Sequence, residues 1–188
     1  LTLEQSIELL HAVDGKFKER DYCMLTFFLN CGMRVAELVG INLQDIDSSL
    51  RSLRVLGKGN KERIIYLNEA CREALRAYLF IRKSERYESC TDRALFLSNR
   101  NARLSIQGVQ VTVQKYLKLA GLASKHYSVH KLRHTAATLM YQSGQVDIRV
   151  LKDILGHEQL NTTQIYTHVS NRNMEEAMKH NPLSGEKD

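Results

Sequence analysis

SLRVLGKGNKERIIYL, residues 52–67, has the pattern of two β-strands joined by a tight turn. Residues 52–56 and 62–67 are short runs rich in apolar and β-branched side chains, which favour strands. Residues 57–61, GKGNK, supply the glycines and the asparagine that tolerate positive φ in a hairpin turn. Residues 41–47 are also strand-like, so the sequence predicts a small antiparallel sheet of three strands.

Helical spacing surrounds this sheet on both sides. Thr2 and Gln5 have the spacing of a capping box at the start of a helix that runs to about residue 13, and a very apolar helix over residues 20–31 stops at Gly32. Further helices are predicted over residues 35–39, 69–86, 105–120, 128–142, 147–156 and 173–180, with a short helix around 162–166 and an extended piece at 94–98. One proline and ten scattered glycines leave no linker, so we expect a single, mainly helical α+β domain over residues 1–183 with a tail at 184–188.

The composition excludes several classes of protein. The chain has 188 residues, 43% hydrophobic and 26% charged, as expected for a globular protein with a buried core. Its apolar runs are far shorter than the ~20 residues of a membrane-spanning helix, and its first residues lack a signal-peptide pattern. The four cysteines, Cys23, Cys31, Cys71 and Cys90, form no C-x-x-C pair, which favours free thiols in a reducing compartment over disulfides or a zinc site. A cytoplasmic protein is therefore expected.

Positive charge is concentrated in one part of the chain. The net charge is +6, yet residues 93–146 contain eight Lys or Arg and no Asp or Glu: Arg93, Arg100, Arg103, Lys115, Lys118, Lys125, Lys131 and Arg133. A solvated helix face could account for such a run. A long basic segment without acidic residues is also typical of a protein that binds a phosphate backbone, since each neutralised phosphate releases a counterion.

Arg34 is the first candidate for chemistry, because it lies among apolar residues just after Gly32. A buried guanidinium needs a partner, and Glu37, one helical turn later, is the expected one. Pairing alone would account for both residues. Alternatively, Glu37 aims Arg34, and the planar fork of the arginine then grips a phosphoryl group at two points.

HKLRH, residues 130–134, is the second candidate. If Ser128 caps this helix, His130 and Arg133 share one face near a helix N-terminus, where free backbone amides favour an anion. The alternative is a packed histidine beside a surface arginine. His134 is expected to be a structural hydrogen-bonding residue.

Two further residues are weak signals when each is taken alone. Lys58 lies in the hairpin turn, where Lys61 and Arg63 make the tip basic and suited to a nucleic-acid groove, although a solvated turn lysine is the simpler explanation. Tyr166 lies in TTQIYTH, residues 162–168. A tyrosine hydroxyl, with a pKa of about 10, is a poor nucleophile unless nearby cations or a base help it ionise.

Taken in order, these segments resemble the catalytic domain of tyrosine recombinases, also called phage-type integrases, and especially the Xer-like recombinases and integrases of mobile elements. The resemblance covers residues 2–183. It rests on GMRVAEL at 32–38, GKGNKER at 57–63, HKLRH at 130–134, LGH at 155–157 and the nucleophile position Tyr166.

The resemblance implies a site-specific recombinase that cleaves and rejoins DNA without a metal, ATP or another cofactor. Tyr166 would attack a scissile phosphate, leaving a 3′-phosphotyrosyl bond and a free 5′-hydroxyl. Arg34, Arg133 and His157 would stabilise the transition state, Lys58 would protonate the leaving oxygen, and His130 would take part in the proton transfers.

Other residues would assist this centre. Glu37 and His134 would support the catalytic side chains, and Lys61, Arg63 and Lys131 are candidate DNA contacts. Two-metal nucleases use clustered carboxylates, which the basic segment lacks. Asp45 and Asp47 lie two positions apart, on one face of a predicted strand near a turn, where exposure to solvent accounts for both carboxylates. No metal site is therefore expected.

The resemblance also implies partners. The family acts as a tetramer on double-stranded DNA with inverted half-sites and exchanges a C-terminal helix between protomers, here residues 173–180. The recombinase would serve either DNA integration and excision or the resolution of chromosome or plasmid dimers. An accessory DNA-bending or regulatory protein is compatible with both roles. The family's N-terminal core-binding domain is missing, so the 188 residues are expected to be the catalytic half of a longer protein. The alternatives are DNA relaxation by a type IB topoisomerase and a DNA-binding regulator that has lost catalysis.

Overall fold

The computed structural model describes residues 1–82 and 92–155. In these ranges the chain forms seven α-helices and a two-stranded sheet, in the order α1 (Leu3–His11), α2 (Lys18–Cys31), α3 (Val35–Gly40), β1 (Ser52–Leu56), β2 (Glu62–Tyr66), α4 (Glu69–Arg82), α5 (Ile106–Leu119), α6 (Val129–Gln142) and α7 (Ile148–Leu155). Single 3₁₀ turns lie at Leu43–Asp45, Lys58–Asn60 and Ala123–Lys125. The mainly helical α+β prediction is confirmed.

Local side-chain chemistry sets the ends of several helices. The capping box predicted for α1 is present: the Gln5 N–H donates to Thr2 Oγ1 at 3.2 Å, and the Thr2 N–H donates to Gln5 Oε1 at 3.0 Å. Helix α2 ends at Gly32, whose φ of +59° is left-handed. Helix α5 begins after Ser105, whose hydroxyl accepts from the Gly108 N–H at 3.0 Å.

The sheet has fewer strands than predicted. Strands β1 and β2 pair antiparallel, from Ser52 opposite Tyr66 to Leu56 opposite Glu62. The third strand predicted over residues 41–47 is wrong, because the Asn42 N–H donates to Asp45 Oδ2 at 2.9 Å and the chain tightens into a turn. Within the described ranges this segment makes only isolated bridges, Asn42 with Ala94 and Ile46 with Leu53.

Helix α2 forms the centre of the hydrophobic core. All residues from 23 to 29 of this helix are buried, Phe27 and Phe28 completely, and the helix packs against α4 and α6. The Tyr78 ring of α4 stacks on Phe96 at 5.5 Å between ring centroids, and Phe27 meets Phe96 edge-on at 6.1 Å. Because α2 packs against both α4 and α6, the turn that follows it at Gly32 has a fixed position relative to α6.

Three of the four cysteines lie in the described part of the chain. Cys23, Cys31 and Cys71 are buried free thiols, with 3.6 Å between the Sγ atoms of Cys31 and Cys71. Cys90 lies outside the described residues. Among the helices of residues 1–82 and 92–155, none is long and apolar enough to span a membrane.

Candidate active site

The turn between α2 and α3 positions Arg34. The backbone reverses at Gly32, and Arg34 then takes an extended conformation (φ −76°, ψ 150°) at the start of α3. The Arg34 N–H donates to Glu37 Oε2 at 2.7 Å, and Arg34 Nη1 donates to Glu37 Oε1 at 2.8 Å. The predicted pairing of Arg34 with Glu37 is therefore present, and it ties the arginine to the first turn of its own helix.

Glu37 is shared between two arginines. Its side chain is buried, and from β2 the Arg63 Nε and Nη2 atoms donate to Glu37 Oε1 and Oε2 at 3.1 and 3.0 Å. Burial alone would raise the pKa of Glu37. The hydrogen bonds from Arg63 and from the Arg34 N–H, with the charges of both arginines, outweigh burial and hold the pKa of Glu37 below its ordinary value. The carboxylate stays ionised between its partners at neutral pH.

The hairpin lies directly beside this cluster. The Gly57 N–H donates to the Lys61 carbonyl at 2.8 Å, which closes the turn, and a Cβ added at Gly57 would lie 3.6 Å from Glu37 Oε1. Lys58 follows Gly57 in the chain, but its side chain lies outside what the structure describes. Lys61 is exposed at the end of the turn.

Helix α6 brings the second motif to the same place. His130 is exposed in its first turn, whereas Arg133, one turn later, is buried. Arg133 Nη1 donates to the Gly32 carbonyl, and Arg133 Nη2 donates to the Leu155 carbonyl at 2.7 Å. Arg133 thus joins the turn after α2 to the last residue of α7.

A cavity of about 480 Å³ brings the two motifs together. Its lining includes Arg34 from the first motif and His130 and Arg133 from the second. Among the described residues, no acidic side chain lines it. The N-terminal end of α6 lies beside it at Ser128, whose side chain makes no capping hydrogen bond. Two guanidinium groups, an imidazole and a helix N-terminus make this a suitable place for a phosphate group.

Sequence reasoning missed two residues of this cavity. Gln110 and Gln114, four apart on α5, line its wall, and Gln114 Nε2 donates to the Tyr127 carbonyl at 2.7 Å. Both lie on the exposed face of a helix within the basic segment, which is the signal that could have indicated them.

Two further predicted residues, His134 and Lys131, lie on α6. His134 Nδ1 lies 3.2 Å from Thr138 Oγ1, and its pKa is lowered by burial and by the nearby positive charge of Lys131. Lys131 is exposed on α6. In the part of the chain that the structure describes, no group of three or more His, Cys, Asp or Glu side chains could hold a metal.

Several predictions fall outside the described residues. They are His157 of the LGH motif, the nucleophile Tyr166, the short helix around residues 162–166, the helix over 173–180, the tail at 184–188, and the ends predicted for two helices at residues 86 and 156. The structure therefore brings together Arg34, His130 and Arg133, with Glu37 and Arg63 behind the first of them.

Comparison with known proteins identifies relatives over almost the whole chain. The model of the phage integrase family matches residues 1–173. Tyrosine recombinase XerC of Caldanaerobacter subterraneus is 57% identical over 99% of this chain, and that of Thermodesulfovibrio yellowstonii is 41% identical over 99%. The chain spans only 52% and 63% of the length of these two relatives.

Solved structures share the fold. The crystal structure of XerA recombinase superposes with a TM-score of 0.79 at 32% identity, covering 97% of this chain and 65% of that one. The XerH site-specific recombinase bound to its palindromic difH substrate gives a TM-score of 0.76 at 27% identity, covering 96% and 52%. The Tn1549 transposon integrase in complex with transposon right end DNA has a TM-score of 0.73 at 21% identity, covering 95% and 64%, and shows likeness of fold alone.

Proposed function

This chain belongs to the phage integrase family, and we propose that it is the catalytic domain of a site-specific tyrosine recombinase. The proposed reaction cleaves and rejoins DNA strands through a covalent 3′-phosphotyrosyl intermediate. The observation that carries the proposal is the cavity where Arg34 and Arg133, which are 99 positions apart in sequence, meet beside His130.

The chemistry follows from the residue types. Tyr166 forms a bond from its phenolic oxygen to the scissile phosphorus, while the bond from phosphorus to the 5′-oxygen breaks. The tyrosine proton passes to a base, for which His130 is the candidate, and Lys58 gives a proton to the leaving 5′-oxygen. The phosphodiester energy is kept in the phosphotyrosyl bond, so the 5′-hydroxyl of another strand can reverse the step without ATP or a metal.

The two arginines would act on the transition state. Extra negative charge develops on the phosphoryl oxygens as the phosphorus becomes five-coordinate, and fixed guanidinium groups stabilise it without reorganising. Arg34 is fixed by Glu37, and Arg133 by the Gly32 and Leu155 carbonyls, so both are oriented before DNA binds. His157 would add a third hydrogen-bond donor to the same phosphate.

The proposed partner is double-stranded DNA with inverted half-sites. The basic segment at residues 93–146 supports this, because α5 and α6, which belong to it, form much of the cavity wall. Exposed Lys61 and Lys131 are candidate phosphate contacts. The protein is proposed to assemble as a tetramer on two DNA duplexes by exchanging residues 173–180 between protomers. An accessory protein would assist it in either DNA integration or dimer resolution. The proposed place of action is the cytoplasm.

A nicked DNA duplex tests the proposed reaction. The duplex is selected by binding from a randomised pool and nicked beside the cleavage position, so that the released fragment diffuses away and the covalent adduct accumulates. We expect an adduct with the wild-type protein in the presence of EDTA, and none with Tyr166→Phe.

Tyr66→Phe is the matched control, because Tyr66 on β2 is 81% exposed and lies away from the cavity lining. It should form the adduct at the wild-type rate. An adduct from Tyr166→Phe, or none from the wild-type protein on DNA that it binds, contradicts the proposal. Relaxation of supercoiled DNA without strand exchange between two sites would favour the topoisomerase alternative.

A further inference from the structure

Arg63 makes three separate attachments within the fold. Its Nε and Nη2 atoms hold the two oxygens of Glu37 at 3.1 and 3.0 Å, and its Nη1 donates to the Ile154 carbonyl near the end of α7. We infer that Arg63 is a positioning residue of the active site, one that aligns Arg34 through Glu37 and fixes the end of α7, and not a ligand of DNA. This inference rests on the proposed function, and it assigns to Arg63 a role different from the DNA contact predicted from the sequence.

The Glu37 carboxylate is the link between Arg63 and Arg34. Its two oxygens accept four hydrogen bonds, two from Arg63 and two from Arg34. A carboxylate held by four donors cannot rotate, so the Arg34 guanidinium that it binds has one direction. Losing Arg63 would leave Glu37 free to turn toward Arg34 alone, which would draw the Arg34 guanidinium away from the cavity.

The charges of the cluster support the same role. Arg34, Glu37 and Arg63 together carry one net positive charge, whereas Arg34 and Glu37 alone would be neutral. Because Arg63 shares the carboxylate, Arg34 keeps a larger part of its positive potential for a phosphate in the cavity. Arg63 therefore affects the electrostatic potential that Arg34 presents to the cavity, as well as the direction of its guanidinium.

The second attachment of Arg63 is to α7. Arg63 from β2 donates to the Ile154 carbonyl, and Arg133 from α6 donates to the Leu155 carbonyl at 2.7 Å. Leu155 is the first residue of the LGH motif, so the two arginines hold the backbone where that motif begins.

The geometry leaves Arg63 little capacity for DNA. Its side chain is 15% exposed, its Nε, Nη1 and Nη2 atoms all donate to protein acceptors, and, unlike Arg34 and Arg133, it does not line the cavity. A phosphate contact would require it to leave the buried Glu37 carboxylate, which is costly. Exposed Lys61, two residues earlier, can make such a contact without leaving a partner of this kind.

The two roles predict different results in one experiment. Arg63→Gln and Arg63→Lys are measured on the selected nicked duplex for DNA affinity at several salt concentrations and for the rate of adduct formation at saturating DNA. Arg54→Gln is the control, because Arg54 is also a strand arginine with two carboxylate partners but has a side chain that is 44% exposed.

For a positioning residue, we expect Arg63→Gln to lower the saturated rate by about 100-fold, as small misplacements of a catalytic group do. The slope of log affinity against log salt should stay at the wild-type value. Arg63→Lys, which keeps one ion pair with Glu37 but cannot reach all three acceptors, should recover about tenfold of that loss. Arg54→Gln should match the wild-type protein in both measurements.

A salt slope reduced by about 0.9, the value for one lost phosphate contact, overturns the inference. A saturated rate within threefold of wild type overturns it as well. Thermal unfolding identifies a variant that has lost its fold; if Arg63→Gln does so, Arg63→Lys is judged by the same two criteria. If the wild-type protein forms no adduct, both the proposed function and the role of Arg63 are overturned. If the wild-type protein forms the adduct but Arg63→Gln shows the reduced salt slope or the near-wild-type rate, only the role of Arg63 is overturned.

Discussion

Replacing Glu37 with glutamine should destabilise the fold strongly at neutral pH. The glutamine has the same shape, but it loses the negative charge and presents an NH₂ group to two arginines. Four charge-assisted hydrogen bonds are affected, and the side chain is only 1% exposed. Removing one partner of a buried ion pair costs 3–5 kcal/mol, but both arginines are partly exposed and one acceptor remains, so we expect a loss of about 3 kcal/mol.

Urea denaturation followed by circular dichroism measures this loss. With a urea dependence of about 2 kcal/mol per molar for a chain of this size, the midpoint should fall by about 1.5 M at pH 7. Glu62→Gln is the matched control, because Glu62 pairs with Arg54 at 3.4 Å on the surface and is 58% exposed. Its midpoint should move by less than about 0.3 M, as expected for an exposed ion pair.

The difference between wild type and Glu37→Gln should depend on pH in a defined direction. The pKa of Glu37 is lower in the folded state than the ordinary value of about 4.3 in the unfolded chain. The charged carboxylate therefore stabilises the fold fully above about pH 4.3, and this contribution is lost as the pH falls through the folded pKa. The difference should be constant between pH 5 and 7 and should shrink below pH 4. A loss below about 1 kcal/mol at pH 7, or a difference that grows in acid, would contradict this role of the Glu37 carboxylate.

Three further predictions concern the same site. Gly32→Ala should lower the free energy of unfolding in urea by about 2–4 kcal/mol, because φ is +59° and the new Cβ would lie 2.6 Å from Leu155 Cδ2. Gly121→Ala is the control and should lower it by only about 1 kcal/mol, because φ is +71° but no described atom lies within 4 Å of the new Cβ. Equal losses would contradict the close approach of α7 to Gly32. Arg133→Ala should abolish adduct formation on the nicked duplex while keeping a measurable part of the DNA affinity, since transition-state contacts act mainly on rate, and complete loss of binding would indicate a structural role. DNA affinity should fall about 150-fold between 50 and 200 mM salt if about four of the basic residues at 93–146 neutralise a phosphate, and a flat salt response would contradict the proposed DNA face.

Short-range chemistry made much of the fold predictable. The capping box of Thr2 and Gln5, the glycine that ends α2, and the hairpin strands are each set by residues a few positions apart. The predicted third strand was wrong because Asn42 and Asp45 hydrogen-bond within their own segment, a competition that apolar spacing does not reveal. The pairing of Arg34 with Glu37 was predictable for the same reason as the caps, since it spans one helical turn.

The residue types available for phosphate chemistry, and their order along the chain, could be read from the sequence. Long-range packing brings Arg34 and Arg133 to one cavity and places Gln110 and Gln114 in its wall. The same packing brings Arg63 to Glu37 and α7. These contacts join residues that are 26 to 99 positions apart, so they depend on how the buried α2 fixes its neighbours and not on local propensity. Pattern reasoning assigned Arg63 to DNA because a basic hairpin tip is ordinarily solvated, whereas in the folded chain its three attachments lie within the protein.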